Sequence, residues 1–250
     1  MSSEKKTDIK IDEIIFGIRY QRYWHILDMT GDIIDKILRH KESPFDSKYF
    51  TKVTEEPIGK IIHNPQTECF FKINTDDLIF KHNFDTEKDD VLKNKDLDWF
   101  YSAVSDFIIQ KLVIDYKIEQ IIRVGIVYHH LIAKGDIPMG FINDTLGDLP
   151  GKTAKFNIDF HKKSGVEDSV IKKGVNDYKN VIYFLKSRDD ENYEFGIDYQ
   201  YYFKPFIDHI KEWDVKDFIT KSNECLKSKF YPWMKKRFGN LNFMDEKNDQ

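Results

Sequence analysis

The chain has 250 residues, enough for one large domain or two small ones with a sizeable core. Its 40% apolar and 15% aromatic residues argue against disorder except at the ends, and a net charge of −4 leaves no overall basic excess for gripping duplex nucleic acid through its phosphates. Cys69 and Cys225 lie far apart, form no CxxC or Cys/His cluster and read as reduced thiols, while "MSSEKKTD" has no apolar core of a signal peptide and no apolar run approaches the ~20 residues of a membrane helix.

These features together predict a cytoplasmic protein with no membrane contact. Residues 1–10 and 244–250 are polar and are expected to fray. "DEIIFGIRYQ" then alternates as a strand, with Ile14, Phe16, Ile18 and Tyr20 on one face. Ile33, Ile34, Ile37 and Leu38 recur at helical spacing in the next segment, although Gly31 weakens its middle. After a loop around Pro44 and Pro57, "TECFFKINTDDLIFKHNF" reads as a hairpin turning near Asn74–Asp77.

The charged stretch 85–96 reads as a solvated loop, followed by a helix over about 97–117 with Phe100, Val104, Phe107, Ile108 and Leu112 as its buried stripe. Asp96 or Asp98 is placed to cap it. The strand "QIIRVGIVYHHLI" completes a βαββαβ order, the ferredoxin-like pattern. In the second part, "KFNIDFHKK" turns Phe156, Ile158 and Phe160 inward. "NVIYFLKS" and "NYEFGIDYQYYF" pair through "RDDEN", with Phe195, Ile197, Tyr199, Tyr201 and Phe203 on one face. A short helix is expected after Pro205 and a long one from about 215, capped by Asp214 and kinked or restarted at Pro232.

The predicted architecture is therefore α+β in two related halves, each an antiparallel-rich sheet packed on helices. The first half spans 11–133, a connecting loop 134–154 and the second half 155–243.

Gly-Ile-x-Tyr occurs three times, at Gly17–Tyr20, Gly125–Tyr128 and Gly196–Tyr199, each time inside a strand. Ile and Tyr should face the helices, while Gly and the variable residue face away. Sheet geometry explains such glycines better than a ligand motif, since strand Gly permits twist or close approach.

Catalytic motifs are incomplete. In "GDLPGKT" only three residues separate Gly147 from Gly151, and Leu146 stands where a phosphate-cradling loop needs Gly. His129 and His130, adjacent on a strand, point to opposite faces and cannot easily share an ion; Asp159 and His161 share a face but lack further ligands. The Mg²⁺-nuclease pattern fares no better, because its E-x-K occurs only as Glu4–Lys6. "KSKFYPWMKKRF" mixes cations with aromatics and fits an amphipathic helix better than a base-stacking surface. No catalytic residue, metal site or cofactor is assigned.

"EIIFGIRY", "RVGIVY", "FGIDY" and "VKDFITKSNECL" resemble the strand and helix motifs of a sporadically distributed family of uncharacterised prokaryotic proteins of similar length, often near mobile-element and defence genes. The central strand of that family is often followed by an Asn-containing segment, where this chain has "HHLI". The resemblance implies a cytoplasmic accessory or antiviral-defence role and carries no catalytic residues.

The function expected is thus a non-enzymatic binding or adaptor protein with a protein partner or a second copy of itself. The alternative is an RNA-binding or RNA-processing protein on tandem ferredoxin-like folds. The face carrying the three glycines is the expected binding surface. Period-2 alternation places Arg19 and Gln21, Arg123 and His129, and Glu194, Asp198 and Gln200 around it, with an Arg19–Asp198 pair across strands as the plain structural reading.

Overall fold

A computed structural model describes residues 7–45, 50–84, 96–136, 157–165, 177–210, 213–239 and 241–245. The strands are β1 (Thr7–Ile9), β2 (Ile11–Tyr20), β3 (Lys52–Glu56), β4 (Gly59–His63), β5 (Phe70–Asn74), β6 (Asp77–Asn83), β7 (Ile121–Ala133), β8 (Asn157–Gly165), β9 (Tyr178–Ser187), β10 (Asn192–Ile207) and β11 (Leu241–Phe243). Among the described residues three helices accompany them. Helix α1 covers Ile26–Arg39, and α2 starts at Leu97–Ser102 and continues through wider π-type turns over Ala103–Ile114. Helix α3 runs through Val215–Cys225, widens over Leu226–Phe230 and resumes at Tyr231–Phe238.

Strands β2 to β10 form one nine-stranded sheet in the order β3-β4-β5-β6-β2-β7-β10-β9-β8. Every pairing in it is antiparallel. The α+β class and the antiparallel sheet packed on helices stand as expected. The ferredoxin-like halves do not. In a split βαβ unit the helix returns the chain to a parallel strand one place away, with a single strand inserted between the two. Here α1 instead delivers the chain to β3 at the far edge of the sheet, and a meander leads back to β6 beside β2. Sheet pairing also runs straight across the expected division, because β7 pairs with β10 along most of its length.

All three helices pack on the face that carries the Ile and Tyr of each tag. Phe100 of α2 stacks on Phe80 at 5.0 Å, Tyr101 reaches Tyr128, and Phe218 of α3 lies against Tyr199 at 5.5 Å. Phe16, Ile18, Ile126, Tyr128, Phe195 and Ile197 are wholly buried there. Their alternation with polar or glycine positions explains why each of these strands hides one face.

The cap expectations hold. Asp96 accepts from the Trp99 N–H at 2.9 Å, and Asp214 accepts from the Asp217 N–H at 2.9 Å. Pro232 lacks the N–H that would bond to Ser228, and its ring would crowd that carbonyl; the helix meets this by widening over Leu226–Phe230 before it resumes.

Several local expectations are corrected. The stretch around Pro57 is a hairpin of β3 and β4 with Glu56 opposite Gly59. Pro205 lies within β10, which runs on to Ile207, so Pro205 does not open the expected short helix; residues 211–212 lie outside the described residues. Thr7–Ile9 is a strand, held in parallel by Leu241–Phe243. The polar composition of both ends hid this pairing, because each strand is only three residues long. Phe160 faces the helices and meets Trp233 at 5.9 Å, yet it stays 46% exposed because β8 is an edge strand. The glycine-rich segment 147–153 lies outside the described residues.

Candidate functional site on the uncovered sheet face

Among the described residues no helix lies on the opposite face of the sheet, although Phe184, Glu194 and Gln200 on that face are buried. That face is ordered in transverse rows, because the register sets each residue beside a named neighbour. Gly17 of β2 stands directly opposite Gly125 of β7, and Gly125 is opposite Gln200 of β10. In the next row Arg19 is opposite Arg123, Arg123 opposite Tyr202, and Tyr202 opposite Tyr178 of β9. Two of the three tags thus meet at the centre of the sheet.

The glycines differ in what surrounds them. A β-carbon on Gly17 would have its nearest atom at 3.8 Å, and one on Gly125 at 3.7 Å, both ordinary contacts. A β-carbon on Gly196 would lie 2.0 Å from the Tyr128 carbonyl oxygen and 2.5 Å from Cζ of Phe184. Close approach is therefore open at Gly17 and Gly125 but not at Gly196, whose place is filled by the Phe184 ring.

The expected Arg19–Asp198 pair does not form, since β7 lies between their strands. Arg19 instead donates two hydrogen bonds to Asp77 on β6, from Nε at 2.8 Å and Nη2 at 3.2 Å. That hydrogen bond, with the Asp77 charge, raises the guanidinium pKa further above its ordinary value against the effect of burial. Arg123 donates to the Tyr202 hydroxyl at 3.3 Å and sits 5.7 Å from the centre of that ring. Among the described residues it makes no ion pair with a carboxylate, although its charge acts on Asp198.

Tyr202 donates to Gln200 Oε1 at 2.9 Å, and Asn180 donates to the same oxygen at 3.1 Å. Gln200 donates in turn to Asp198 Oδ2 at 2.5 Å. Burial pushes the Asp198 carboxyl up, opposed by this bond and by the charges of Arg123, His129 and His161. Gln21 is exposed just beyond the end of β2, and its backbone N–H donates to the Gln120 carbonyl.

His129 belongs to a separate ionic cluster further along the same face. Its Nδ1 lies 2.5 Å from Glu194, and its Nε2 lies 3.7 Å from Glu13. Lys186 pairs with Glu194 at 2.8 Å, and Lys81 with Glu13 at 2.5 Å. Burial would raise Glu194, but hydrogen bonds from His129 and Lys186 and their charges outweigh it and hold the carboxyl down at about 2. His130 points the other way, wholly buried between Phe195 and Tyr231, and burial lowers its imidazole to about 3. It is a core residue on the face opposite to that of His129.

Among the described residues no group of three or more His, Cys, Asp or Glu side chains could hold a metal ion. The aromatics of "KSKFYPWMKKRF" serve the core: Phe230, Tyr231 and Phe238 are buried. Sequence reasoning missed Glu13, Tyr178, Tyr202 and Lys163. Alternation from Asp198 through Gln200 to Tyr202 was the available signal for Tyr202. Tyr178 had none, because β9 begins two residues before the apolar run that marks it.

No protein-family model matches the chain, and no curated protein or solved structure is significantly similar to it. No helix among the described residues is long and apolar enough to cross a membrane.

Proposed function

We propose that this protein is a non-enzymatic binding or adaptor protein whose sheet face opposite the described helices docks an anionic partner. One observation carries the reading: Arg19 and Arg123 stand directly opposite each other on adjacent strands, and Arg123 makes no ion pair with a described carboxylate. Like charges in directly opposed positions destabilise a sheet, so folding alone gives no reason for the pair. A guanidinium offers a planar fork to carboxylate or phosphate, which suits docking of an anion. The flat floor at Gly17 and Gly125 lets a ligand backbone come close. The short motifs shared with a family found near defence and mobile-element genes make such a system the setting of this proposal.

The test is affinity capture from the native host with the unaltered chain and with Arg19→Ala/Arg123→Ala, analysing both protein and nucleic acid. The captured partner should be lost from the variant while its thermal melt stays cooperative. Metal-dependent turnover of nucleic acid or nucleotides, abolished by Asp159→Asn or Asp198→Asn, would sink the adaptor reading. RNA binding at the same face is the second reading, favoured by the stacked Tyr178 and Tyr202 rings, whose centres are 4.5 Å apart.

A further inference from the structure

We infer that the anion bound on this face is single-stranded nucleic acid, lying across the strands along the row from Arg19 to Tyr178, with Lys163 and Lys204 flanking the row at Tyr178. The inference rests on this face being the docking surface. It adds the chemistry of the ligand and its direction.

The row is continuous. Arg19, Arg123, Tyr202 and Tyr178 are successive cross-strand neighbours on β2, β7, β10 and β9. Lys163 of β8 places its Nζ 4.0 Å from the centre of the Tyr178 ring, and Lys204 of β10 places its Nζ 5.4 Å from it. Four cations are thus spread over five adjacent strands, a span of roughly 19 Å at the usual strand spacing. Arg19 is paired with Asp77, whereas Arg123, Lys163 and Lys204 make no ion pair with a described carboxylate. In a chain of net charge −4 this is a local concentration of positive charge, arranged as a line.

A line of cations fits a linear polyanion, and what lies within the line selects the kind. Tyr178 and Tyr202 stack almost parallel, at 6°, in its middle. The ammonium groups over Tyr178 belong to exposed lysines. A phosphate draws such groups off the ring and leaves its face to a base, which stacks there without regard to sequence. An acidic peptide uses the cations equally well but gains little from the rings. Bases in a duplex are already stacked, so the ligand is single-stranded.

Fluorescence anisotropy with labelled oligouridine and oligodeoxythymidine tests this, with labelled polyglutamate as the competing anion. The variants are Arg123→Gln, Lys163→Gln/Lys204→Gln and Tyr178→Leu, each checked by its thermal melt. Saturable oligonucleotide binding is expected, weakening as salt rises. The lysine pair variant should flatten the dependence of log K on log salt by about one to two. Tyr178→Leu should weaken binding roughly five- to a hundredfold without changing that slope. If polyglutamate binds as tightly, with Arg123→Gln weakening it and Tyr178→Leu leaving it unchanged, the ligand is an acidic protein segment. The nucleic-acid inference then falls while the docking face stands. If oligonucleotide binds but no variant alters it, both fall. If neither probe binds the unaltered chain, the nucleic-acid inference is overturned, and the captured-partner experiment alone decides the docking face.

Discussion

The ring of Phe184 occupies the space above Gly196, so that a methyl group on that α-carbon would stand 2.5 Å from its Cζ. The Tyr128 carbonyl lies closer still, at 2.0 Å, and a backbone oxygen cannot swing aside as a side-chain end can. Gly196→Ala should therefore lower stability by about 1–3 kcal/mol, as overpacking usually does. Gly17→Ala and Gly125→Ala meet only ordinary contacts and should be neutral or stabilising by up to ~1 kcal/mol, through a less flexible unfolded chain. Urea unfolding of the three variants checks this, and equal losses in all three would refute the distinction.

Arg123 opposes Arg19, and Arg19 is held by Asp77. Removing the like charge by Arg123→Gln should leave stability unchanged or raise it by a few tenths of a kcal/mol, about the size of exposed cross-strand effects. Removing Arg19 should cost ~0.2–1 kcal/mol, since its pair with Asp77 is half exposed. A double-mutant cycle on Arg19 and Asp77 measures that coupling. A substantial loss from Arg123→Gln would assign this arginine to folding instead of docking.

Tyr128 joins Tyr101 and Ser222 in a buried hydroxyl chain, with oxygens 3.0 and 2.9 Å apart. The Ser222 proton goes to the Ile219 carbonyl at 2.8 Å, so Tyr128 must donate to Ser222, and Tyr101 to Tyr128. Ser222→Ala leaves the wholly buried Tyr128 hydroxyl without its acceptor and should cost about 1–3 kcal/mol. Tyr128→Phe in the same chain should recover part of that loss. Strict additivity of the two substitutions would contradict the chain of donors.

Acid should unfold the protein in two stages. Burial lowers His130 from 6.5 to about 3, so it stays neutral in the fold while the unfolded chain takes up a proton below 6.5. Stability is therefore lost as pH falls through that window, by up to about 1.4 kcal/mol per pH unit. Glu194 is held down from 4.5 to about 2, so its contribution is complete above 4.5 and is lost as pH falls towards 2. The decline should begin near 6.5 and steepen below 4.5. His130→Phe should flatten the first stage and leave the second, as read by urea melts over this range of pH. An unchanged first stage in the variant would remove His130 as its source.

The chain itself determined which side of each central strand is buried. Ile14, Phe16, Ile18 and Tyr20 alternate with polar or glycine positions, and a strand's period of two turns that alternation directly into faces. Caps at Asp96 and Asp214 were legible for the same reason, because a cap bonds to an N–H three residues away. Tertiary structure alone decided which strands lie side by side. That β2 and β7 pair, setting Gly17 against Gly125 and Arg19 against Arg123, depends on contacts between residues more than a hundred positions apart. Helix packing covers one face and leaves the order of strands open, since many registers bury the same apolar set. The row of Arg19, Arg123, Tyr202 and Tyr178 exists only after that order and register are chosen.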